Sequence, residues 1–508
     1  MKLVSEMLDD AAARYPERIA FTDSRGDITY QELRCRSRRL AAAVHGVGIL
    51  HSPVCIYMPK SIPCIEAMLS VVYSGNFYCV VDVEMPQARI DKIIHVMKPA
   101  VVITTQKLCK EAQHIFGSQP EYVIYEEAMQ LEPDDASLQE IRNQIDPNET
   151  MFLLFTSGST GIPKGVIISH RAEFGHVNWI STQYRLDDGH MILMNQAPLY
   201  FIMAAFDIYV TIYTAGHCHL VPDRYFSFPM MLLNYLKEHH INTLNIVPSA
   251  LCLVANFHAL SEVHLDDLQL VIFGGEVMPV KQLNMWIREY PDTLFADLYG
   301  ATEVADTLTY YDVPGELDET QSIPIGKTAG HMQTMILDEN DQPVPAGEVG
   351  ELCATGISLA DGYYGDSGRT AEVFVPNPLY QEGDPEYVRH MYRMGDLVRM
   401  REDGNIIYIG RKDFQIKHMG HRIELGEIET AVSTLDGVDQ NCCLHDKERD
   451  QIVLFYTGTL DDEETVVKLR TLLPDYMVPT EIFRLQELPL TPNGKTDRQL
   501  LKKQYIES

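Results

Sequence analysis

The sequence predicts an α/β protein: a large N-terminal domain of doubly wound sheets with a β-rich subdomain, then a small α+β C-terminal domain. Three observations predict it. Amphipathic helices alternate with short apolar strands in the first part of the chain. Strand and turn signals crowd together between Met335 and Arg411. Helix–strand alternation then returns toward the C-terminus. A chain of 508 residues is also too long for one hydrophobic core, so two or more domains of about 100–200 residues each are expected.

Tyr30 to Val44 has helical periodicity, with Leu33, Leu40 and Val44 on its apolar face. Arg34, Arg36, Arg38 and Arg39 crowd that helix and read as a solvated basic surface. Val54 to Met58 and Val101 to Thr105 read as buried strands, and Ala67 to Tyr73 as a helix ended by Gly75. Turns are expected at Glu339-Asn340-Asp341, Pro345-Ala346-Gly347 and Glu402-Asp403-Gly404-Asn405. Near the C-terminus, Gly426 to Leu435 reads as a helix and Gln451 to Thr457 as a strand. The boundary falls at Arg411-Lys412-Asp413 and divides the chain into residues 1–412 and 413–508.

Hydrophobic residues at 45% and charged residues at 22% are those of a globular chain, not a disordered one. The formal charge of −31 argues against nucleic acid and anionic membrane as partners. Any phosphate-bearing ligand must therefore be held by local donors. Met1 to Leu8 lacks the apolar stretch of a signal peptide, and Ile202 to Gly216 is interrupted by Asp207, so no membrane span is expected. Ten cysteines at irregular spacing, without a CxxC pair, argue against zinc and disulfides and fit a cytoplasmic, reducing setting. His217-Cys218-His219 lies in a strand-like run that puts both imidazoles on one face. Two ligands do not close a metal site, so the pair reads as structural.

The strongest chemical signal is Phe155-Thr156-Ser157-Gly158-Ser159-Thr160-Gly161-Ile162-Pro163-Lys164-Gly165-Val166, entered from the apolar strand Met151 to Phe155. Three glycines and four hydroxyl residues give a loop whose backbone N–H groups can face a polyphosphate, with Lys164 as the cation. A Walker A loop needs Ser or Thr directly after Gly-Lys, whereas Lys164 precedes Gly165. No GxSxG hydrolase elbow occurs in this loop. Composition alone leaves a plain flexible loop open.

The loop resembles the signature of the adenylate-forming superfamily of acyl-CoA synthetases, luciferases and peptide-synthetase adenylation domains. Further segments resemble its other motifs in order. They are Ile28 to Leu33, Gly75 to Asp82 with Pro86 and Arg89-Ile90, Gly274-Gly275-Glu276, and Tyr299-Gly300-Ala301-Thr302-Glu303. Gly350-Glu351-Leu352, Tyr392 to Asp396, Gly410 to Lys417, Arg422 to Glu429 and Pro492 to Arg498 complete the set. The likeness is strongest toward stand-alone adenylation domains and D-alanine–carrier-protein ligases.

That resemblance implies ATP and Mg2+, and roles for particular residues. Thr156, Ser157, Gly158, Ser159, Thr160 and Lys164 would hold the phosphates, and Thr302 would touch the α-phosphate. Glu303 would hold the metal, and Gly275, Glu276 and Tyr299 would line the adenine slot. Asp396 would accept the ribose hydroxyls with Arg411 in support, and Lys495 would bridge the substrate carboxylate and the α-phosphate. Asp413 matches the hinge about which a mobile C-terminal domain would swing. Asp361, where the family often has a basic residue, and Met394, where it usually has Thr, depart from the pattern without removing a required charge.

Gln196 to Asp207 aligns with the family's first pocket segment. Ile202 stands where amino-acid-activating members carry the Asp that pairs with the α-ammonium, so a conventional α-amino acid is disfavoured. A rival register would put Phe206-Asp207 there, at the expense of the spacing from Pro198 and to Gly216. The other pocket positions implied are Met203, Phe206, Asn245, Ile272, Gly274, Leu298, Asp306 and Thr307. Plain core packing remains open for Met203, Phe206 and Ile272. An acid at Asp306 suits an amine further along the substrate, ahead of a keto, hydroxy or aryl acid.

The expected activity is adenylation of a small carboxylic acid and its transfer to the phosphopantetheine thiol of a carrier protein. Ser508 follows soon after Lys495 with no carrier segment between, so that carrier is expected to be separate. The alternative is an acyl-CoA synthetase, which shares every catalytic motif. A non-catalytic nucleotide-binding regulator would be expected to lack Lys495, Glu303 or Asp396, and all are present.

Overall fold

The structure is a computed structural model that describes residues 2–158, 161–186, 189–412, 415–489 and 496–506. Its residues group into two units. One comprises Met1–Val83, Met97–Leu154 and Gly165–Lys412; the other comprises Glu84–Val96, Phe155–Lys164 and Asp413–Ser508.

The large unit is built on sheets whose apolar runs need cover on both faces. In the strand Leu270–Gly274, Leu270 and Ile272 enter one hydrophobic cluster while Val271 and Phe273 enter another. Side chains alternate across a strand, so a strand covered on both faces reads as unbroken apolar sequence. It sits in a nine-stranded sheet in the order Lys327–Thr328, Thr309–Asp312, Leu294–Tyr299, Leu270–Gly274, Thr243–Ile246, Ile192–Asn195, His217–Leu220, Ile19–Asp23 and Gly26–Thr29. Neighbours from Leu294–Tyr299 through Ile19–Asp23 are parallel, and the pairs beyond at each edge are antiparallel.

A six-stranded sheet runs Glu121–Ile124, Val101–Thr104, Pro53–Tyr57, Phe77–Val81, Thr150–Thr156 and Lys164–Ser169. The two strands expected here lie within a residue of their predicted places. The β-rich subdomain is a five-stranded sheet of Met332–Leu337, Val349–Gly356, His390–Met400, Phe374–Pro376 and Ile406–Arg411, antiparallel throughout. One apolar cluster contains Ile56, Phe152, Ile272 and Leu352, so it draws on all three sheets. No helix among the described residues is long and apolar enough to cross a membrane.

The predicted early helix spans Tyr30–Gly46. Thr29 caps it: its hydroxyl accepts from Glu32 N at 3.2 Å, and the Glu32 carboxylate accepts from Thr29 N at 3.0 Å. Leu33, Leu40 and Val44 are fully buried, so Leu33→Ala would cost ~2–5 kcal/mol. The arginines of this helix do not form a solvated face. Arg34 and Arg38 lie 2.6 and 3.5 Å from Asp9, and Arg38 also meets Asp135 at 2.8 Å. Arg36 reaches the buried Glu66 at 3.6 Å, and Arg39 donates to the Met129 carbonyl at 3.3 Å. With 72 acids against 41 bases, carboxylates of neighbouring elements are at hand, and periodicity within one helix cannot show them. His217 and His219 do share a face, with ring centroids 4.3 Å apart; they bond to Thr22 and Tyr235 respectively.

In the small unit, Gln415–His418 and His421–Glu424 form a hairpin whose two loop residues, Met419 and Gly420, have φ of 50° and 76°. Positive φ at both positions is the demand of a type I′ turn. Gly420 meets it freely, and Met419 meets it at a cost of ~1–2 kcal/mol. The helix Leu425–Ser433 follows, then a sheet of Val438–Asp446, Gln451–Gly458 and Glu481–Leu485. Asp450 lies 3.1 Å from His418 and 2.8 Å from His445, joining the hairpin to that sheet.

Candidate active site

In the large unit the site grows from the C-terminal ends of adjacent parallel strands, Leu270–Gly274 and Leu294–Tyr299, where open α/β sheets offer their crevices. Backbones approach closely there. A Cβ on Gly274 would lie 2.2 Å from the Leu298 carbonyl oxygen, and one on Gly300 would lie 1.9 Å from that of Asp306. Glu276 accepts from Ser249 N at 2.9 Å, in the first turn of the helix Pro248–Asn256.

Tyr299 ends its strand and donates its phenol to Asp396, which is buried. Asp396 and Arg411 face each other across the antiparallel strands His390–Met400 and Ile406–Arg411, and Arg411 Nη1 donates to Asp396 Oδ1 at 2.9 Å. Arg411 also donates to the Met394 carbonyl at 3.2 Å, a contact indifferent to the Met394 side chain. Burial, with the charge of Asp396 beside it, pushes the Tyr299 phenol far above its ordinary range, so it stays a donor. An ionised carboxylate offers about four lone-pair sites. After accepting from Tyr299 and Arg411, Asp396 keeps capacity for two more hydroxyls, which suits a vicinal diol.

Thr302 and Glu303 sit in a short 3-10 turn, Thr302–Val304. Glu303 is fully buried; its Oε1 accepts from the Tyr363 hydroxyl at 2.8 Å, and its backbone oxygen accepts from Ala360 N at 3.0 Å. A buried carboxylate oriented by a phenol has the donor chemistry of a ligand for a hard cation such as magnesium. The sequence reading missed Tyr363, although it stands two residues from Asp361, which departs from the family pattern. Asp361 lies 3.0 Å from Arg171, so this departure from the family pattern is internally compensated.

Strand register brings pocket positions together: Asn245 pairs with Ile272, and Gly274 with Leu298. Ile202 and Met203 open the helix Ile202–Thr214 and are half-buried, while Phe206 is buried one turn on. Asp207 is fully buried; its two oxygens accept from Asn195 at 2.7 Å and Asn245 at 2.8 Å. Burial raises it to about 8 against those hydrogen bonds. The rival register therefore offers a carboxylate already committed to two amides. Thr307 is buried with its hydroxyl 3.2 Å from His176 Nε2, and the His176 ring lies 5.9 Å from that of Phe206. His176, also missed in the sequence, thus touches two predicted pocket positions. Burial lowers it to about 3, so it is neutral.

The strand Thr150–Thr156 delivers the signature loop, whose residues Phe155–Lys164 belong to the small unit. The Thr156 hydroxyl is buried without a partner among the described residues. Ser157 donates to the Arg422 carbonyl at 2.7 Å and accepts from Glu424 N at 3.2 Å. Gly158 N donates to Glu427 at 3.3 Å, and Lys164 lies 3.6 Å from Glu424. Glu427 also meets Arg89 at 3.1 Å. Four predicted positions, Ser159, Thr160, Asp413 and Lys495, lie outside the described residues.

The profile of the family described as AMP-binding enzyme matches residues 8–364. The chain belongs to that family. AMP-binding enzymes include relatives alignable with nearly this whole chain. Zwittermicin A synthase ZmaJ of Bacillus cereus is 30% identical over 98% of this chain and 94% of its own length. The D-alanine–D-alanyl carrier protein ligase of Bacillus licheniformis is 29% identical over 99% of both. Gramicidin S synthase 2 of Brevibacillus brevis is 30% identical over 98% of this chain, which spans 11% of that larger protein. The amide bond synthetase McbA of Marinactinospora thermotolerans shares the fold with a TM-score of 0.83 at 20% identity, over 99% of this chain and all of its own. This AMP-binding chain is accordingly a ligase of the adenylate-forming type found in peptide-synthetase adenylation domains and carrier protein ligases.

Proposed function

We propose that this chain converts a small carboxylic acid to its acyl-adenylate and passes the acyl group to the phosphopantetheine thiol of a carrier protein. The observation that carries the reading is the Tyr299–Asp396–Arg411 group, a buried carboxylate with acceptor capacity matched to a ribose diol.

In the first step a substrate carboxylate oxygen attacks the α-phosphorus of ATP, the α–β anhydride bond breaks, and pyrophosphate leaves. No side chain becomes a nucleophile; the protein positions two anions and neutralises charge. Gly275, Glu276 and Tyr299 line the base, and Asp396, backed by Arg411, takes the ribose. Thr302 donates to the α-phosphate, and the 156–160 loop with Lys164 takes the β- and γ-phosphates. Lys495 spans the carboxylate and α-phosphate, as a mobile point charge suits a changing anion. Glu303 would hold magnesium, which when bound offsets phosphate charge. In the second step the thiol gives up its proton, sulfur bonds to the acyl carbon, and AMP leaves. Residues 413–508 act as a lid that swings about Asp413 between the steps.

The acid favoured is one whose amine lies away from the α-carbon. Ile202 supplies no counter-ion for an α-ammonium, and Asp207 is occupied by Asn195 and Asn245. ATP–pyrophosphate exchange over a panel of acids tests this. Strong exchange with 3- or 4-amino acids is expected, and exchange confined to standard α-amino acids overturns it. Offering CoA beside a phosphopantetheinylated carrier settles the acceptor. Acylation of the carrier is expected, and acylation of CoA alone would make the chain an acyl-CoA synthetase.

A further inference from the structure

Glu173 has no role in the mechanism above. It lies in the helix His170–Gln183 and is 0% exposed, and neither carboxylate oxygen has a hydrogen-bond partner among the described residues. Buried polar groups are almost always satisfied, and an uncompensated buried charge costs several kcal/mol or more. A carboxylate left in this condition calls for a missing donor.

Its position says where that donor comes from. Three residues on along the same helix face is His176, whose Nε2 meets Thr307 and whose ring lies against Phe206, both predicted pocket positions. Asp306 is near enough for its charge to add to burial in raising Glu173 to about 8. Asp306 itself is held at φ of 86°, a conformation uncommon for a residue with a side chain, so the fold fixes its place. The hydroxyls of Tyr78 and Tyr209, bonded to each other, also feel the Glu173 charge. Glu173 thus interacts electrostatically with one predicted pocket residue and lies one helical turn from a histidine that touches two more.

We infer that Glu173 and Asp306 together receive a primary ammonium carried by the substrate at a distance from its carboxylate, and that Glu173 is a specificity-determining residue for it. This rests on the reading that the acid bears a distal amine, and adds the group that recognises it. The ammonium offers three N–H donors, enough to satisfy both orphaned oxygens of Glu173 and one of Asp306. A buried charge-assisted contact of this kind discriminates strongly against the analogue lacking the amine.

The test is ATP–pyrophosphate exchange by the full chain with 3-aminopropanoate, 3-aminobutanoate, 4-aminobutanoate and 2,3-diaminopropanoate, beside propanoate and butanoate, for wild type, Glu173→Gln and Asp306→Asn. Glu173→Gln should raise KM for the preferred amino acid by ~30-fold or more and leave exchange with its des-amino analogue unchanged or improved. The variant keeps the side-chain shape and removes a group that burial already drives toward its protonated form, so the melting temperature of the ligand-free protein should hold or rise. Asp306→Asn should shift the same preference in the same direction. If distal-amine acids exchange equally well in wild type and both variants, Glu173 is not their partner and only this inference falls. If wild type exchanges only α-amino acids, or prefers the des-amino acids, the reading beneath it falls as well.

Discussion

The large unit arrives with its site residues bonded to one another, whereas in the small unit the loop donors are bonded to something else. Tyr299, Asp396 and Arg411 form a closed chain of contacts, and Glu303 is already oriented by Tyr363. Ser157, Gly158 and Lys164 are engaged by Arg422, Glu427 and Glu424. On the proposed roles, one half would need no rearrangement to receive a nucleoside. The other would exchange protein carboxylates and carbonyls for phosphate oxygens, so ligand binding there would be a competition between acceptors.

The contrast can be broken from either side. Asp396→Ala and Lys495→Ala should each lower kcat/KM for adenylation by ~10²–10³, read by pyrophosphate exchange, because each removes a group proposed to meet ATP or the reacting anions. A normal rate in Lys495→Ala would remove the proposed charge bridge.

Stability against pH should differ in sign between particular groups of the two units. Burial raises Glu66 to about 7 and both Asp207 and Glu173 to about 8 in the large unit. The unfolded chain releases these protons first, so stability is fully present below about pH 4 and falls as pH rises toward 8, by at most ~1.4 kcal/mol per group per unit. Asp450 in the small unit is lowered by its hydrogen bonds to His418 and His445, so its contribution is present above the ordinary aspartate range and lost as pH falls. Melting temperatures from pH 5 to 9 check the first trend, and Glu173→Gln should flatten it. A melting temperature that climbs over that range contradicts the assignment.

A smaller effect is expected at Tyr299→Phe, which takes one donor from Asp396 and should raise KM for ATP ~5-fold. The smallest is at Glu424→Gln. It frees Lys164 from a partner at 3.6 Å and should lower KM for ATP ~2–3-fold. A rise instead would mean that Glu424 aids the loop instead of competing with phosphate.

The strands at Pro53–Tyr57 and Val101–Thr104 were legible because burial on both faces leaves an uninterrupted apolar run. The helix Tyr30–Gly46 was legible from its periodicity, and its start is written in Thr29 and Glu32. The pairing of its arginines was not, because Asp9, Glu66 and Asp135 belong to other elements. His418, His445 and Asp450 converge for the same reason, from positions that form no ligand spacing along the chain. Asp396 and Arg411 were legible as motif residues, and strand register explains why they meet. Glu173 could have been flagged as an acid three residues from His170 and from His176 on one helical face. Only the fold shows that this face is buried.

The close approaches at Gly274 and Gly300 foretell the outcome of a saturation scan. Every substitution there would drive a side chain into a carbonyl, so both positions should tolerate nothing but glycine. Gly46, at the end of its helix, has no atom within 4 Å of an added Cβ and should accept many residues. Survival under selection at these two positions would then report the tight backbone packing at the ends of the two strands, with no ligand ever bound.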